Sequence, residues 1–377
     1  MRNDDMYVTV DGKRLRCGYT TGTCASAASK AAALYLVSDK RPDSVLVATP
    51  SGKAVEIRIE DCRIEDGCAV CSVRKDGGDD IDATHGVLVC SKVSVRQDGG
   101  IRIDGGEGVG RVTKNGLDQP VGSAAINSTP RRMISYALAE VRDSFGMTTG
   151  FDAVISVPEG AEVAKRTFNS RLGIEGGISI LGTSGVVEPM SDAGLMGAVK
   201  AEIDVRLAEG DRLLLVVPGN MGKAFSEHMG ADDKAVKCSN FIGETIDYAV
   251  ERKAEGLLLV GNLGKMVKVA GGMMNTHSRW GDCRMEILSA GALEAGADAD
   301  IARRILNCVS TDDALHALGE DLRVKTMKRI IERMAFHLGN RAGGMRIEVV
   351  VFSSKYGKVG ETGGACRMMK DITGAES

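Results

Sequence analysis

At 377 residues the chain has room for two or three domains of about 150 residues each, and 43% hydrophobic with 26% charged side chains is the balance of a globular protein with buried cores. Its 48 basic and 51 acidic side chains leave a net charge of −3, which excludes the basic footprint of a nucleic-acid binder. Apolar runs such as 213–217 and 257–260 fall far below the roughly 20 residues of a membrane span, and the polar residues 1–11 lack a signal peptide's apolar core, so a cytoplasmic protein without membrane contact is expected.

Aromatics are only 4%, so the cores must be built from Val, Ile, Leu, Ala and Met. Gly22, Thr23 and Cys24 lead into an alanine-rich helix over 25–37. Strands are expected at 45–49, 55–59, 69–73 and 87–95, separated by Pro50-Ser51-Gly52, Glu65-Asp66-Gly67 and the turn 76–80. One helix against meandering strands is an α+β layer pair, expected to occupy 1–148. Ten cysteines without an export signal argue against a disulfide scaffold. Cys68 and Cys71 form a C-x-x-C pair with Cys62 nearby, but a fourth zinc ligand at a familiar spacing is missing. Buried strand thiols are expected there, and no metal site.

From about Phe151 the pattern changes. Continuous apolar runs at 154–157, 178–181, 213–217 and 257–260 read as parallel strands buried on both faces. Helices are expected from Ser191 to about Ala208 and from Asn240 to about Lys253. The runs end in Pro158, Gly182, Pro218-Gly219 and Gly261 with Gly264, and such carboxyl-end loops form the ligand crevice of an open parallel sheet. Residues 149–377 are therefore expected to form a Rossmann-like, mostly parallel α/β domain. It is extended by amphipathic helix from Thr311 to about Gly339, in one piece or broken near Asp321, then a strand at 345–352 and a weakly ordered final dozen residues.

Five segments are richer in Gly, Thr, Asn and charge than ordinary structure needs. Gly18-Tyr19-Thr20-Thr21-Gly22-Thr23 feeds a helix N-terminus and suits either an anion or a plain cap. Residues 75–85 hold four carboxylates within seven positions plus His85, either a solvated turn or a proton-handling group. Residues 105–114 combine glycines with Arg111 and Lys114 but lack the phosphate-loop ending and the dinucleotide glycine spacing. Residues 165–173 place three cations in seven positions, suited to an acidic substrate or to solvent. Last, Pro218-Gly219-Asn220-Met221-Gly222 and the stretch 261–268, with Asn240 and 275–279, have the strand, turn, helix construction that holds a nucleoside or its carboxylate tail.

Taken in order over most of residues 14–290, these motifs resemble the cobalt-precorrin-5B C-1 methyltransferases of anaerobic cobalamin synthesis. The resemblance is carried by Cys17-Gly18-Tyr19-Thr20-Thr21-Gly22-Thr23-Cys24-Ala25, the 75–85 and 105–114 loops, Thr167-Phe168-Asn169-Ser170-Arg171-Leu172-Gly173-Ile174, Ile178-Ser179-Ile180-Leu181-Gly182-Thr183-Ser184-Gly185, Asn240-Phe241-Ile242-Gly243 and the run 261–286. It implies methyl transfer from S-adenosyl-L-methionine to C-1 of cobalt-precorrin-5B, giving cobalt-precorrin-6A and S-adenosylhomocysteine. Cobalt arrives inside the tetrapyrrole substrate, and channelling with other enzymes of the pathway is a possible partnership. On this reading Gly219, Asn220, Gly222, Asn240, Gly261, Asn262, Gly264 and Lys265 hold the methyl donor. Thr20, Thr21, Thr23, Arg111, Lys114, Arg131, Arg171 and Arg279 hold the tetrapyrrole carboxylates, and Asp79, His85 and His277 handle protons. Family members usually carry His where this chain has Asn262, so Asn262 is assigned to binding alone. Two other readings compete: a noncatalytic tetrapyrrole carrier, and a nicotinamide-dependent oxidoreductase, which lacks its glycine fingerprint here.

Overall fold

The computed structural model describes residues 6–374 apart from Phe168, Met221, Lys223, 226–229, 232 and 233. The chain is mixed α/β and divides into two compact units, Met1–Asp192 and Ala193–Ser377. Among the described residues, no helix is long and apolar enough to cross a membrane.

In the first unit the alanine-rich segment forms the helix Thr21–Ser38, in which every residue from Thr21 to Ala33 is buried. A helix surrounded on all sides needs small side chains at every turn, which is what this sequence supplies. It packs on the helix Ser128–Ser144 and against a five-stranded sheet. The spatial order of that sheet is Asp61–Glu65, Cys68–Arg74, Leu88–Arg96, Gly150–Ser156, Ile101–Gly105. Its pairings are antiparallel except the last, between Gly150–Ser156 and Ile101–Gly105.

The division between units falls at Asp192 rather than after residue 148. Gly150–Ser156 pairs along its whole length with Leu88–Arg96, so it belongs to the first sheet and does not open a second. Its apolar run is also not buried on both faces: Phe151, Ala153 and Ile155 point inward while Val154 is exposed. Residues 178–181 form only the isolated bridges Val109↔Ile178 and Ile126↔Ile180, again within the first unit. Cys62 and Cys71 are not free thiols. They stand directly opposite each other on adjacent strands, with Cα atoms 4.2 Å apart, and form a disulfide.

The second unit is built on the spatial order Ala235–Lys237, Leu213–Val217, Gly256–Asn262, Arg346–Ser353, Gly357–Glu361. The first four strands are parallel and the fifth is an antiparallel edge. Leu257 to Val260 are wholly buried, as two-sided burial of a central parallel strand requires. The expected helices are present as Asp192–Ala208 and Ile242–Glu251. The amphipathic stretch is two helices, Thr311–Leu318 and Glu320–Ala342, broken at Gly319 (φ +69°) and capped by Ser310 rather than Thr311. Within the final stretch expected to be weakly ordered, the described residues form the helix Ala365–Thr373, which buries Ala365, Met368, Met369 and Ile372 against Leu215, Leu258 and Val350.

One glycine contact fixes the first unit's loops. A Cβ on Gly108 (φ +68°) would lie 1.8 Å from the carbonyl oxygen of Val157, and Cβ atoms on Gly160 and Gly177 would lie 2.0 and 2.2 Å from the carbonyl oxygen of Gly108. Gly108→Ala is expected to cost more than about 4 kcal/mol, the exceptional end of single substitutions. Gly67→Ala, also at positive φ but in open space, is expected to cost about 1 kcal/mol. Urea denaturation midpoints of the two variants check this; equal losses would refute it.

Candidate functional site

The chain leaves the strand Leu213–Val217 for Ala235–Lys237 on one side, and leaves Gly256–Asn262 for Arg346–Ser353 on the other. The adjacent carboxyl ends of Leu213–Val217 and Gly256–Asn262 therefore form a switch point, where open parallel sheets leave a crevice for ligands. Pro218, Gly219 and Asn220 follow the first strand, and the helix Leu263–Ala270 follows the second without a loop.

Asn262 ends its strand and caps this helix, its Oδ1 accepting from the Gly264 N–H at 2.9 Å. One turn in, Lys265 Nζ donates to Asn240 Oδ1 at 2.8 Å and to the Ser239 carbonyl at 3.5 Å. Thr276 reaches the same Asn240 twice, through its hydroxyl to Oδ1 (3.3 Å) and its N–H to the carbonyl (3.0 Å). Lys237, at the end of its strand, donates to Asn220 Oδ1. A Cβ on Gly219 (φ +117°) would meet only Lys265 Nζ, at 3.8 Å, so this turn lies open beside the ammonium. Six of the expected donor-binding residues thus share one crevice edge: Gly219, Asn220, Asn240, Asn262, Gly264 and Lys265. Gly222 and Gly261 serve packing instead, because Cβ atoms there would press to 2.9 Å on the Val260 carbonyl and to 2.7 Å on the Met266 sulfur. Met221, and Phe168 of the basic loop, lie outside the described residues.

Burial holds the Lys265 ammonium below the usual lysine range, against a pull from Cys238, and the charges of Lys237 and Lys268 add to the lowering. Burial pushes the Cys238 thiol up to about 12, which keeps it protonated and inert. Lys268 is buried and spans a loop, donating to the carbonyls of Thr276 (3.3 Å) and Gly281 (2.9 Å). Between these anchors His277 Nδ1 accepts from the Arg279 N–H at 3.2 Å, and the Arg279 guanidinium lies 5.5 Å from the Trp280 ring centroid.

The candidates of the first unit are used differently from expectation. Thr20 caps its helix through Thr23 N–H (3.2 Å). Thr21 accepts from Leu181 N–H (2.8 Å), and the Thr23 hydroxyl donates to the Gly185 carbonyl (2.6 Å). Thr21 and Thr23 are buried, so these hydroxyls hold the 181–185 segment rather than a ligand. The Arg131 guanidinium donates to three carbonyls, of Ile126, Ile103 and Ala124, and is likewise spent on the fold. Arg111 is exposed, bound to Asp104 at 2.8 Å and to the Gly105 carbonyl at 2.7 Å. The Lys114 stem packs over Gly173, where a Cβ would meet it at 2.3 Å. Arg171 is half-buried and lies two residues before that glycine.

The crowded carboxylates of 75–85 are matched by cations. The buried Lys75 pairs with Asp82, and Arg16 with Asp76 through a 2.8 Å bond. The Arg16 side-chain bond outweighs burial and holds the Asp76 carboxyl below its usual range. Burial alone would raise Asp82, but Lys75 and the Thr84 donors together lower it. Asp79 Oδ2 accepts from the Arg16 N–H (2.7 Å), and His85 Nδ1 from the Gly77 N–H (3.0 Å), so a neutral His85 carries its proton on Nε2. Both groups thereby tie loop backbone together. Sequence reasoning missed Arg16 and Lys237. The second had a signal, since Lys237-Cys238-Ser239-Asn240 repeats the pattern of a strand ending before Asn, but three residues are too short a strand to read.

A surface groove of about 650 Å³ lies elsewhere in the second unit, lined by Glu294, Arg329, Glu332, Arg333, Phe336 and His337. Its charges satisfy one another, Arg333 with Glu294 at 3.1 Å and Arg329 with Glu332 at 2.9 Å, and it contains none of the motifs above.

Comparison with known proteins gives a consistent set of relatives. The CbiD family model matches residues 8–189, and the model of the CbiD C-terminal domain matches 275–363. A cobalt-precorrin-5B C(1)-methyltransferase of Ruminiclostridium cellulolyticum is 46% identical over 375 residues, 97% of each chain. Its counterpart in Alkaliphilus metalliredigens is 41% identical over 373 residues, again 97% of each. A crystal structure of a cobalamin biosynthesis protein (cbiD) from Archaeoglobus fulgidus is 29% identical, with a TM-score of 0.42, covering 74% of this chain and 88% of that one.

The lowered Asp82 gives a pH test of the first unit. A carboxyl depressed in the folded state contributes stability that is present above its unfolded value, about 3.9, and is lost as pH falls through the folded value. Below pH 4 the chain is expected to lose stability more steeply than Asp82→Asn, as read from denaturant midpoints at stepped pH; parallel curves would refute the assignment. In the second unit, Asn262→Ala is expected to cost about 1 kcal/mol through the lost cap, on the same measurement.

Proposed function

The chain belongs to the CbiD family, and from that premise we propose that it is a methyltransferase acting at C-1 of cobalt-precorrin-5B, the reaction named for its relatives. The observation that carries the site assignment is the switch-point crevice of the second unit, which we read as a Rossmann-like domain. Its edge is lined by Asn220, Asn240 and Lys265 with open backbone at Gly219. Neutral amides, an ammonium and a helix N-terminus suit a nucleoside with a charged amino-acid tail.

S-adenosyl-L-methionine, when bound, supplies a methyl group on a positively charged sulfur. The C-1 electron pair would form the new carbon–carbon bond while the bonding pair of the methyl–sulfur bond stays on sulfur, giving neutral S-adenosylhomocysteine, and loss of one proton from the tetrapyrrole leaves a net gain of one methylene. Such a displacement gains most from alignment, where effective molarities of roughly 10⁵ M are attainable. The chain's part is therefore to hold both reactants, and the polycarboxylate arms of a tetrapyrrole call for cations. The first unit's own candidates for that role are Arg111, Lys114 and Arg171, and the second unit's is Arg279, with Arg bidentate where geometry allows. His277, on the loop tied down by Lys268, is the second unit's proton acceptor. Asp79 and His85 are the first unit's candidates for proton handling, although each already accepts a backbone N–H.

Incubation with the donor and cobalt-precorrin-5B is expected to yield a product heavier by one methylene, with S-adenosylhomocysteine formed in equal amount, by mass spectrometry. Tetrapyrrole bound but never methylated would instead favour a carrier. Lys265→Met is expected to weaken S-adenosylhomocysteine binding by calorimetry about tenfold or more, the loss of one charged hydrogen bond, and Arg111→Met to leave it unchanged. The reverse order would refute the placement of the donor.

A further inference from the structure

Among the described residues, the ammonium groups of Lys265 and Lys237 at the switch point are held by neutral oxygens. Lys265 Nζ rests on an amide oxygen and a backbone carbonyl, and Lys237 Nζ on the Asn220 amide oxygen. Neither ammonium takes part in an ion pair among the described residues. Glu202 meets Lys237 through the backbone N–H (3.4 Å), not through the ammonium. Lys268, one turn beyond Lys265, adds a third positive charge, held by two carbonyls and by a long contact to one carboxylate. That carboxylate, Asp282 at 4.0 Å, is shared with Arg284, whose Nε and Nη2 donate to its two oxygens. The helix Leu263–Ala270 also starts here without an acidic residue in its first turn, so its positive end is unanswered too. Half-buried cations held on neutral oxygens cost desolvation energy that an incoming anion offsets.

We propose that Lys265 and Lys237 form a carboxylate subsite in this crevice, and that it takes the amino-acid carboxylate of the methyl donor; the proposal rests on the donor reading above. Asn240 and Asn220 act as spacers, each holding one ammonium by its amide oxygen while leaving its charge uncancelled. The ligand's adenosine end then lies along the open turn at Gly219, and its carboxylate displaces or bridges the lysine–amide contacts.

The test compares S-adenosylhomocysteine with its decarboxylated analogue, which differs only in the missing carboxylate, by titration calorimetry on the full chain. The unaltered protein is expected to prefer the carboxylate form about tenfold or more, as one charged hydrogen bond would give. Lys265→Met is expected to erase that preference by weakening S-adenosylhomocysteine alone, with the analogue held within about twofold. Lys265→Arg is expected to restore part of it, and Lys237→Met to reduce it, which gives two variants independent of how well the first folds. Equal weakening of both ligands, or an undiminished preference in both Met variants, overturns the subsite and leaves the donor reading standing. No binding of either ligand, with or without tetrapyrrole, overturns both.

Discussion

Parallel strands deliver all their carboxyl ends to one edge of a sheet, and this constraint organises the second unit. Where neighbouring strands send the chain off in opposite directions, the loops leaving their carboxyl ends part and a crevice opens between them. Leu213–Val217 and Gly256–Asn262 are such neighbours. Everything polar in that unit's motifs is placed by this edge: Gly219 and Asn220 by one strand, Asn262 and Lys265 by the other, Asn240 by the short strand alongside. The apolar runs in the sequence and the glycine-asparagine turns after them are two readings of one backbone arrangement.

The legibility of the fold followed from how burial is distributed along each strand. The runs at 213–217 and 257–260 read correctly because central parallel strands have no solvent face, and nothing but apolar side chains fits. The run beginning at Val154 has the same look yet belongs to the first sheet, because Val154 is an apolar residue that faces outward, and surfaces carry many of those. No local pattern marks that difference; only the pairing with Leu88–Arg96 does. The terminal helix was likewise hidden, since Met368 and Ile372 gain their burial from strands Leu213–Val217, Gly256–Asn262 and Arg346–Ser353, which are distant in sequence.

The candidate site was legible where one short segment holds both the turn and its donors, as in Asn262-Leu263-Gly264-Lys265. It was misread where the partner is remote. The threonines at 20–23 have the composition of an anion site, but their hydroxyls meet backbone groups about 160 residues away, at Leu181 and Gly185. Arg131 shows the same limit, its guanidinium absorbed by carbonyls. Composition reports which hydrogen bonds a segment is able to make, and long-range contacts decide which of them are already taken.

Gly108, Gly160 and Gly177 come from three different stretches of chain and touch backbone to backbone. No one of them gains a side chain without displacing a carbonyl that another holds in place. Sequence drift across this crossing is therefore locked: relaxing one position would require the other two strands of the crossing to separate first. At the solvent-facing turns, such as Gly52 and Gly67, an added carbon meets nothing and the cost is confined to the positive φ. The first unit thus tolerates an added side chain far better at its rim than at its crossing.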